Sequence, residues 1–184
     1  MSASAVSVFK PVPAAVEPLD LGALRAGDGT ARAALYRRYV AVVHGIAVAV
    51  AGPTDADDLT QDVFVKVFER IGELRDDAAC GAWICGVARN AARDRRRRRR
   101  HAAAELLCEP AAPKAGDDEL ARRVLAHVRS LPDAYRETLV LRLVEGLSGP
   151  EIAARTGLTH GSVRVNLHRG MSLLRPLLEA EGWR

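Results

Sequence analysis

The apolar residues of this chain recur every three or four positions, the spacing of helices that bury one face. In the first half, one such stripe ends before Gly52 and Pro53, and its members are Leu35, Tyr39, Val42, Ile46 and Val50. The next helix begins near residues 54–57, and its apolar stripe, flanked by Phe64 and Phe68, is Leu59, Val63, Val67 and Ile71. Alternating β-branched runs, which would indicate strands, are absent. The chain is therefore predicted to be all-α.

The most informative pattern lies in residues 146–174, where two helices are predicted with a short turn between them. Ser148 and Glu151 have the spacing of a capping box, which begins a helix. Gly157 suits the left-handed backbone that ends such a helix, and Thr159 can cap the next one. The apolar positions of that second helix are Val163, Leu167 and Leu174. Their order and spacing predict a helix-turn-helix.

The outer surface of this second helix carries side chains suited to a DNA groove, namely His160, Arg164, Asn166, His168 and Arg169. Arginine and asparagine donate hydrogen bonds in pairs to guanine or adenine edges, so an exposed helix start that carries them fits a major groove. Two packed helices of an ordinary bundle are the alternative. A bundle would not need so short a first helix or so polar a second one, and the pattern therefore favours DNA binding.

Positive charge is concentrated in one place. The formal net charge is +4, and residues 93–100 contain seven arginines against one aspartate. An isolated charge run is usually a solvated spacer. Here the run continues the helical pattern of Trp83, Val87 and Ala91, and the forked donors of arginine suit phosphate oxygens. We therefore expect the arginines to contact nucleic-acid phosphates.

The helix that begins near residues 54–57 has an acidic outer surface, formed by Asp58, Gln61, Asp62 and Glu69. A metal or acid/base site is one interpretation, but no histidine or third ligand lies nearby in the sequence. A second is that acids at the helix start stabilise it through the helix dipole. A third is a docking face for a basic partner, with Leu59 and Phe64 at its edge. The residues alone leave all three open and favour docking.

The chain is predicted to contain five segments. Residues 1–18 are rich in Ala, Pro, Val and Ser and should form a disordered N-terminal extension. Residues 19–100 form a helical domain, and residues 101–116, with two prolines and many alanines, form a flexible linker. A second helical domain spans residues 117–178, and residues 179–184 are a short C-terminal tail.

The cysteines and the hydropathy indicate a cytoplasmic protein. The chain has three cysteines, Cys80, Cys85 and Cys108, with no CxxC pair, and we expect small buried side chains in a reducing compartment. A zinc site that adds His101 is conceivable, but its spacing matches no common pattern, and we expect no metal or other cofactor. No stretch is expected to approach the length of a membrane span, and the first residues lack the order of a secretion signal.

Three blocks of sequence carry the most specific signal when they are taken together. They are DADDLTQDVF, AWICGVARNAARDRRRRRR and LPDAYRETLVLRLVEGLSGPEIAARTGLTHGSVRVNLHRGMSLLRPLL. In this order they resemble regions 2 and 4 of the sigma-70 family, in the short extracytoplasmic-function (ECF) group that keeps only those two regions. The resemblance implies two small helical domains joined by a flexible linker, region 2 at 19–100 and region 4 at 117–178. It also implies a subunit without chemistry of its own, which binds core RNA polymerase and gives it promoter specificity.

The resemblance assigns expected roles to individual residues. Those expected to dock on a coiled coil of the largest catalytic polymerase subunit are Asp58, Leu59, Gln61, Asp62 and Phe64. Those expected at the −10 promoter element are Trp83, Arg89, Asn90, Arg93, Arg96 and Arg97, with Asn90 at an unpaired base and Trp83 more a core residue than a stacking platform. Those expected at the −35 element are Thr159, His160, Ser162, Arg164, Val165, Asn166, His168 and Arg169. Val165 and Asn166 stand where basic residues are usual, and an anti-sigma factor is a further implied partner.

Two other functions predict different behaviour. A stand-alone regulator with the same helix-turn-helix would bind duplex DNA tightly without polymerase, and it would need a ligand pocket or a dimer face. An enzyme that acts on nucleic acid through the acidic helix would need a metal ion and a fuller set of ligands. A promoter that is bound and opened only when core polymerase is present would exclude both.

Overall fold

The computed structural model describes residues 19–106 and 119–182. They form eight α-helices, namely α1 (Leu21–Arg25), α2 (Gly29–Val50), α3 (Ala56–Arg70), α4 (Cys80–Leu106), α5 (Glu119–Ser130), α6 (Asp133–Leu143), α7 (Gly149–Thr156) and α8 (His160–Glu179). Short 3₁₀ turns cover Pro53–Asp55, Ile71–Glu73 and Asp77–Ala79. No strand occurs in these two ranges, and the predicted all-α fold with two helical domains is confirmed. The predicted N-terminal extension lies outside the described residues.

Helix α2 is the centre of the first domain. The predicted stripe is confirmed, since its five members are each at most 8% exposed, and from Val42 to Val50 only His44 is more than 8% exposed. Helices α3 and α4 pack against α2 from the same domain, and α6 packs against it from the second domain. A helix with neighbours on several sides is apolar around most of its circumference rather than along one stripe.

The composition of α2 corrects one expectation. By length and composition alone, Gly29–Val50 could cross a membrane, so the expectation that no stretch approaches the length of a span was wrong. Half of its most apolar window is buried inside the protein. The apolar character of α2 is therefore accounted for by its packing against three other long helices.

Helix α4 differs from the prediction at both ends. It begins at Cys80 rather than near Ala82, and it continues through the arginines to Leu106. Residues 101–106, which were predicted as the start of the linker, are therefore helical. Alanine and leucine are strong helix formers, so the alanines at 102–104 extend the helix as readily as they would serve a linker. The rest of the predicted linker, up to residue 116, lies outside the described residues.

The helix-turn-helix of the second domain forms as predicted. Ser148 caps α7 in a complete capping box, in which its backbone N–H donates to Glu151 Oε2 over 2.9 Å. Gly157 ends α7 with a left-handed φ of 75°. Thr159 Oγ1 then accepts a hydrogen bond from the Ser162 backbone N–H over 3.1 Å at the start of α8. On the inner side of α8, Val163 and Leu174 are 1% exposed, so this side of the helix belongs to the core.

Candidate nucleic-acid and docking surfaces

The arginines of α4 divide into free and paired side chains. Arg93, Arg96 and Arg97 are exposed, and together with Arg100 and His101 they line one shallow depression. Only Arg97 among them has an ion-pair partner in the described residues, Asp94 on the same helix at 3.5 Å. Four guanidinium groups around one depression form a surface that can hold phosphate oxygens.

The remaining arginines of the run include two that are bound to the first domain itself. Asp55, at the N-terminus of α3, pairs with Arg99 Nη1 at 3.2 Å and with Arg95 Nη2 at 3.5 Å. The carboxylate of Asp55 is only 19% exposed. These two arginines fasten α4 to α3, so the local charge of the run overstates the charge that is available to DNA.

Three further residues expected at the −10 element have different environments. Asn90 is exposed on α4, one turn before the arginine depression. Trp83 is half-buried and packs against the hydrophobic core, in agreement with a core role for most of its ring. Arg89 is held by Glu137 of α6, through hydrogen bonds of 2.8 Å from Nε and 2.7 Å from Nη2.

The outer face of α8 presents most of the residues expected at the −35 element. His160, Ser162, Arg164, Val165, His168 and Arg169 are exposed, as is the capping residue Thr159. Asn166 differs, because it is half-buried and its Nδ2 donates to Thr138 Oγ1 on α6 over 3.4 Å. A depression between the start of α7 and the start of α8 is lined by Pro150, His160 and Arg164, among others.

The acidic face of α3 is only partly as expected. Asp58, Gln61 and Asp62 are exposed, but Leu59 and Phe64 are each 3% exposed and belong to the core. The expectation that these two side chains lie at the edge of a docking face was wrong. Phe64 instead contacts the ring of Tyr36, with 4.6 Å between the ring centroids.

An apolar residue that the sequence analysis passed over lies on this face of α3. Val65 is 57% exposed, one helical turn from both Gln61 and Asp62. Val65 is a β-branched apolar residue on the exposed side of α3, whereas its neighbours there, at positions 61, 62, 66 and 69, are all polar. This interruption was visible in the sequence and could have identified Val65.

The cysteines form no metal site in the part of the chain that the structure describes, where no group of three potential ligands occurs. Cys80 and Cys85 are buried reduced thiols, and burial raises the pKa of Cys85 to about 12. Such a thiol stays protonated and unreactive at neutral pH. Cys108, the third cysteine of the zinc hypothesis, lies outside the described residues.

Comparison with known proteins assigns both domains. The profile of Sigma-70 region 2 matches residues 35–102, and that of Sigma-70, region 4 matches residues 121–174. The RNA polymerase sigma factor CarQ of Myxococcus xanthus is 36% identical over 151 residues, which cover 78% of this chain and 87% of CarQ. The chain belongs to the sigma-70 family. As an ECF sigma factor, it binds core RNA polymerase and directs transcription initiation at promoters.

Two further comparisons agree with this assignment. The RNA polymerase sigma factor CnrH of Cupriavidus metallidurans is 34% identical over 160 residues, which cover 75% of this chain and 84% of CnrH. The solved structure of CnrH in complex with the cytosolic domain of CnrY covers 87% of this chain and 95% of that chain, with a TM-score of 0.58 and 29% identity. A stand-alone regulator is therefore not favoured.

Proposed function

We propose that three helices divide the work of this sigma factor, with α3 docking on core polymerase, α4 binding the −10 element and α8 reading the −35 element. The observation that carries the proposal is that each helix has one exposed polar face, and that these faces contain most of the residues expected for each task. The buried faces of the same helices form the core. Each contact can therefore be tested by surface substitutions that leave the fold intact.

The docking face consists of Asp58, Gln61, Asp62 and Val65, with Leu59 and Phe64 holding α3 in place from inside the domain. Carboxylates at the rim of an interface act mainly on the rate of association with a basic partner. Val65 supplies the apolar contact that is excluded from water when the partner binds. We place the partner's basic residues opposite Asp58 and Asp62.

The −10 surface consists of Asn90 and the arginines of α4 that line the depression. Base flipping requires an edge reader beside a track for the backbone, and Asn90 lies one turn before Arg93. Arg93, Arg96 and Arg97 hold the phosphates, and Arg89 joins them when its contact with Glu137 opens. Trp83 supports α4 from the core and offers its exposed edge to a neighbouring base.

The −35 surface consists of the first three turns of α8. Arg164 and Val165 lie near the helix start, where side chains reach base edges, and Val165 suits a thymine methyl group. Arg169 and His168 lie later and contact phosphate, while Thr159, His160 and Ser162 lie at the helix start beside the backbone. Asn166 can reach a base only by giving up its hydrogen bond to Thr138.

The protein acts in the cytoplasm as a binding subunit and has no catalytic activity of its own. An anti-sigma factor is its proposed inhibitor, by analogy with the sigma-70 family to which the chain belongs. CnrH, a 34% identical relative, has been solved in complex with the cytosolic domain of CnrY, which supports a protein partner for this chain as well.

The docking face can be tested by Asp62→Lys. This variant should keep its fold, since substitutions on a helix surface usually change stability by no more than about 0.5 kcal/mol. It should co-purify poorly with core polymerase and support little run-off transcription. Glu179→Lys, which makes the same charge change at the exposed end of α8, is the matched control and should behave as wild type. Wild-type retention of core polymerase by the Asp62→Lys protein would refute the docking assignment.

A further inference from the structure

Four arginines from three different helices lie close together at the C-terminal end of α2. Arg96 and Arg99 come from α4, Arg129 from α5 and Arg136 from α6, and we call this group the arginine cluster. The cluster is placed at the end of α2 by Arg129, whose Nη2 donates to the backbone oxygen of Ala51 over 3.4 Å. Segments that are distant in the sequence therefore bring four guanidinium groups to one place.

The protein neutralises only part of the charge of the arginine cluster. Arg136 pairs with Asp133 on its own helix. Arg99 lies 3.2 Å from Asp55, a carboxylate that it shares with a second arginine of α4. The other two members, one on α4 and one on α5, have no ion-pair partner in residues 19–106 and 119–182. The cluster therefore has at least two positive charges that no carboxylate of the described chain balances.

Arg129 is the member whose environment is least favourable for a cation. Burial lowers the pKa of its guanidinium, and the nearby charges of Arg136, Arg96 and Arg99 lower it further. The Nε atoms of Arg129 and Arg136 are buried without a hydrogen-bond partner in the part of the chain that the structure describes. The side chain of Arg136 is itself only 7% exposed. Buried donors without acceptors are costly, and a ligand with negative charge and acceptor oxygens would relieve the repulsion among these cations.

The end of α2 does not by itself account for four arginines. A cation near a helix C-terminus is stabilised by the helix dipole, and Arg129 has this position. Its guanidinium lies face-on against Gly52, where a Cβ atom would be 3.0 Å from Nη2 and 3.1 Å from both Cζ and Nη1. A single cation would satisfy the dipole. The face-on contact also directs the N–H donors, which lie along the edge of the guanidinium, away from Gly52 and toward other acceptors.

We propose that the arginine cluster is a binding site for a small, doubly charged oxyanion of the phosphate class. Guanidinium forks match the oxygens of such an anion, and its two charges balance the two members that have no carboxylate partner. A nucleic-acid strand fits less well, because each of its phosphates has one charge and a strand needs an exposed groove, whereas Arg136 is buried. The bound anion holds Arg96, which also belongs to the proposed −10 surface, and it therefore competes with promoter DNA for this side chain.

Thermal melting of the full-length factor tests the site, with inorganic phosphate exchanged for sodium chloride at constant ionic strength. A ligand that binds only the folded protein, at about ten times its Kd, raises the melting temperature of a chain of this size by about 3–6 °C. Wild type should show this rise, and Arg129→Gln should lose it. The matched control is Arg37→Gln, which removes the same charge from an exposed position of α2, about 20 Å along the helix from Ala51, and it should respond as wild type does.

A second pair of substitutions separates the arginine cluster from the neighbouring depression on α4. Arg96→Gln changes an exposed member of the cluster, so the variant should fold, and its response to phosphate should be smaller than that of wild type. Arg97→Gln removes a guanidinium that lines the depression but is not among the charges that act on Arg129, and it should keep the full response. The difference between variants is decisive, because concentrated phosphate stabilises folded proteins in general.

The proposal is wrong if Arg129→Gln and wild type respond equally to phosphate. It is also wrong if Arg97→Gln loses the response while Arg129→Gln keeps it, since phosphate then occupies the depression on α4. A fluorescent oligothymidine titrated with the same proteins distinguishes the source of the phosphate group. If Arg129→Gln loses as much affinity for the oligonucleotide as it loses response to phosphate, the ligand is a strand and the assignment to a small anion is overturned. None of these measurements needs polymerase, so their failure and a failure of the proposed function in run-off transcription are separate results.

Discussion

The division of the α4 arginines into free and paired side chains leads to a quantitative prediction. Arg93→Gln with Arg96→Gln removes two free guanidinium groups from the depression on α4. Each single-strand phosphate contact contributes about 0.7 to the slope of log K against log salt, so holoenzyme should lose about 1.4 of that slope. Between about 50 and 200 mM salt, the ratio of wild-type to variant affinity should therefore fall about sevenfold.

The paired arginines provide the control. Arg95→Gln with Arg99→Gln removes the same charge from the same helix, but these two side chains bind Asp55. This double variant should keep the wild-type salt slope. It should melt at a lower temperature, because the largely buried Asp55 carboxylate loses its ion pairs. Glutamine is nearly as good a helix former as arginine, so neither pair changes the helix propensity of α4.

Fluorescence anisotropy of a labelled oligothymidine, titrated with each holoenzyme at several salt concentrations, gives the slopes directly. Thermal melting of each free factor, followed by circular dichroism, gives the stabilities. The assignment requires that Arg93→Gln with Arg96→Gln lowers the salt slope, and that Arg95→Gln with Arg99→Gln lowers the melting temperature. If both pairs lower the slope by the same amount, the depression on α4 has no special role and the run acts only through its total charge.

Three further predictions follow from hydrogen bonds that the structure contains. Ser148→Ala should lower the stability of the second domain by about 1 kcal/mol in urea unfolding at pH 7. Because the side-chain and backbone hydrogen bonds of Ser148 lower the pKa of Glu151, the part of this difference that depends on the side-chain bond to the carboxylate should be present above pH 4.5 and be lost as Glu151 becomes protonated. The hydrogen bond to Glu145 raises the pKa of His44 above 6.5, with burial opposing the shift and the charge of Asp57 adding to it. The stabilisation of the folded protein by protonated His44 is therefore complete below pH 6.5 and is lost as the pH rises through the raised pKa. His44→Ala should flatten the pH profile of the free energy of unfolding over this range. Arg164→Ala should relax selection at one position of a randomised −35 library by about 1–3 kcal/mol, whereas Asn166→Ala should leave the selected sequence unchanged if its amide stays on Thr138.

Local patterns in the sequence were sufficient to predict most of the helical structure. The capping box of Ser148 and Glu151, the left-handed Gly157 and the cap at Thr159 involve residues within four positions of each other, and all are present. The buried stripe of α2 also follows from periodicity alone. Helix caps and buried stripes arise from residues that are close together in the sequence, and the sequence alone is therefore enough to predict them.

The features that the sequence did not predict depend on contacts between distant residues. Periodicity placed Phe64 at the edge of a stripe, but it could not show that Tyr36 covers this ring from α2. The charge run predicted phosphate binding but gave no sign that Asp55, some forty positions earlier, holds two of its arginines. The linker composition indicated separate domains and gave no sign of the contact between Arg89 and Glu137. Each case needed the packing of two helices to be known.

The arginine run also shows how one composition can supply two different surfaces. In a helix, positions three or four apart share a face, so Arg95 and Arg99 form one row and Arg93, Arg96, Arg97 and Arg100 form another. Asp55 lies against the first row and leaves the second one exposed. A run with fewer arginines could supply either the ion pairs that hold α4 to α3 or the guanidinium groups that bind phosphate, but not both. The length of the run allows both, because successive arginines fall on different faces of α4 and only one of these faces meets the rest of the domain.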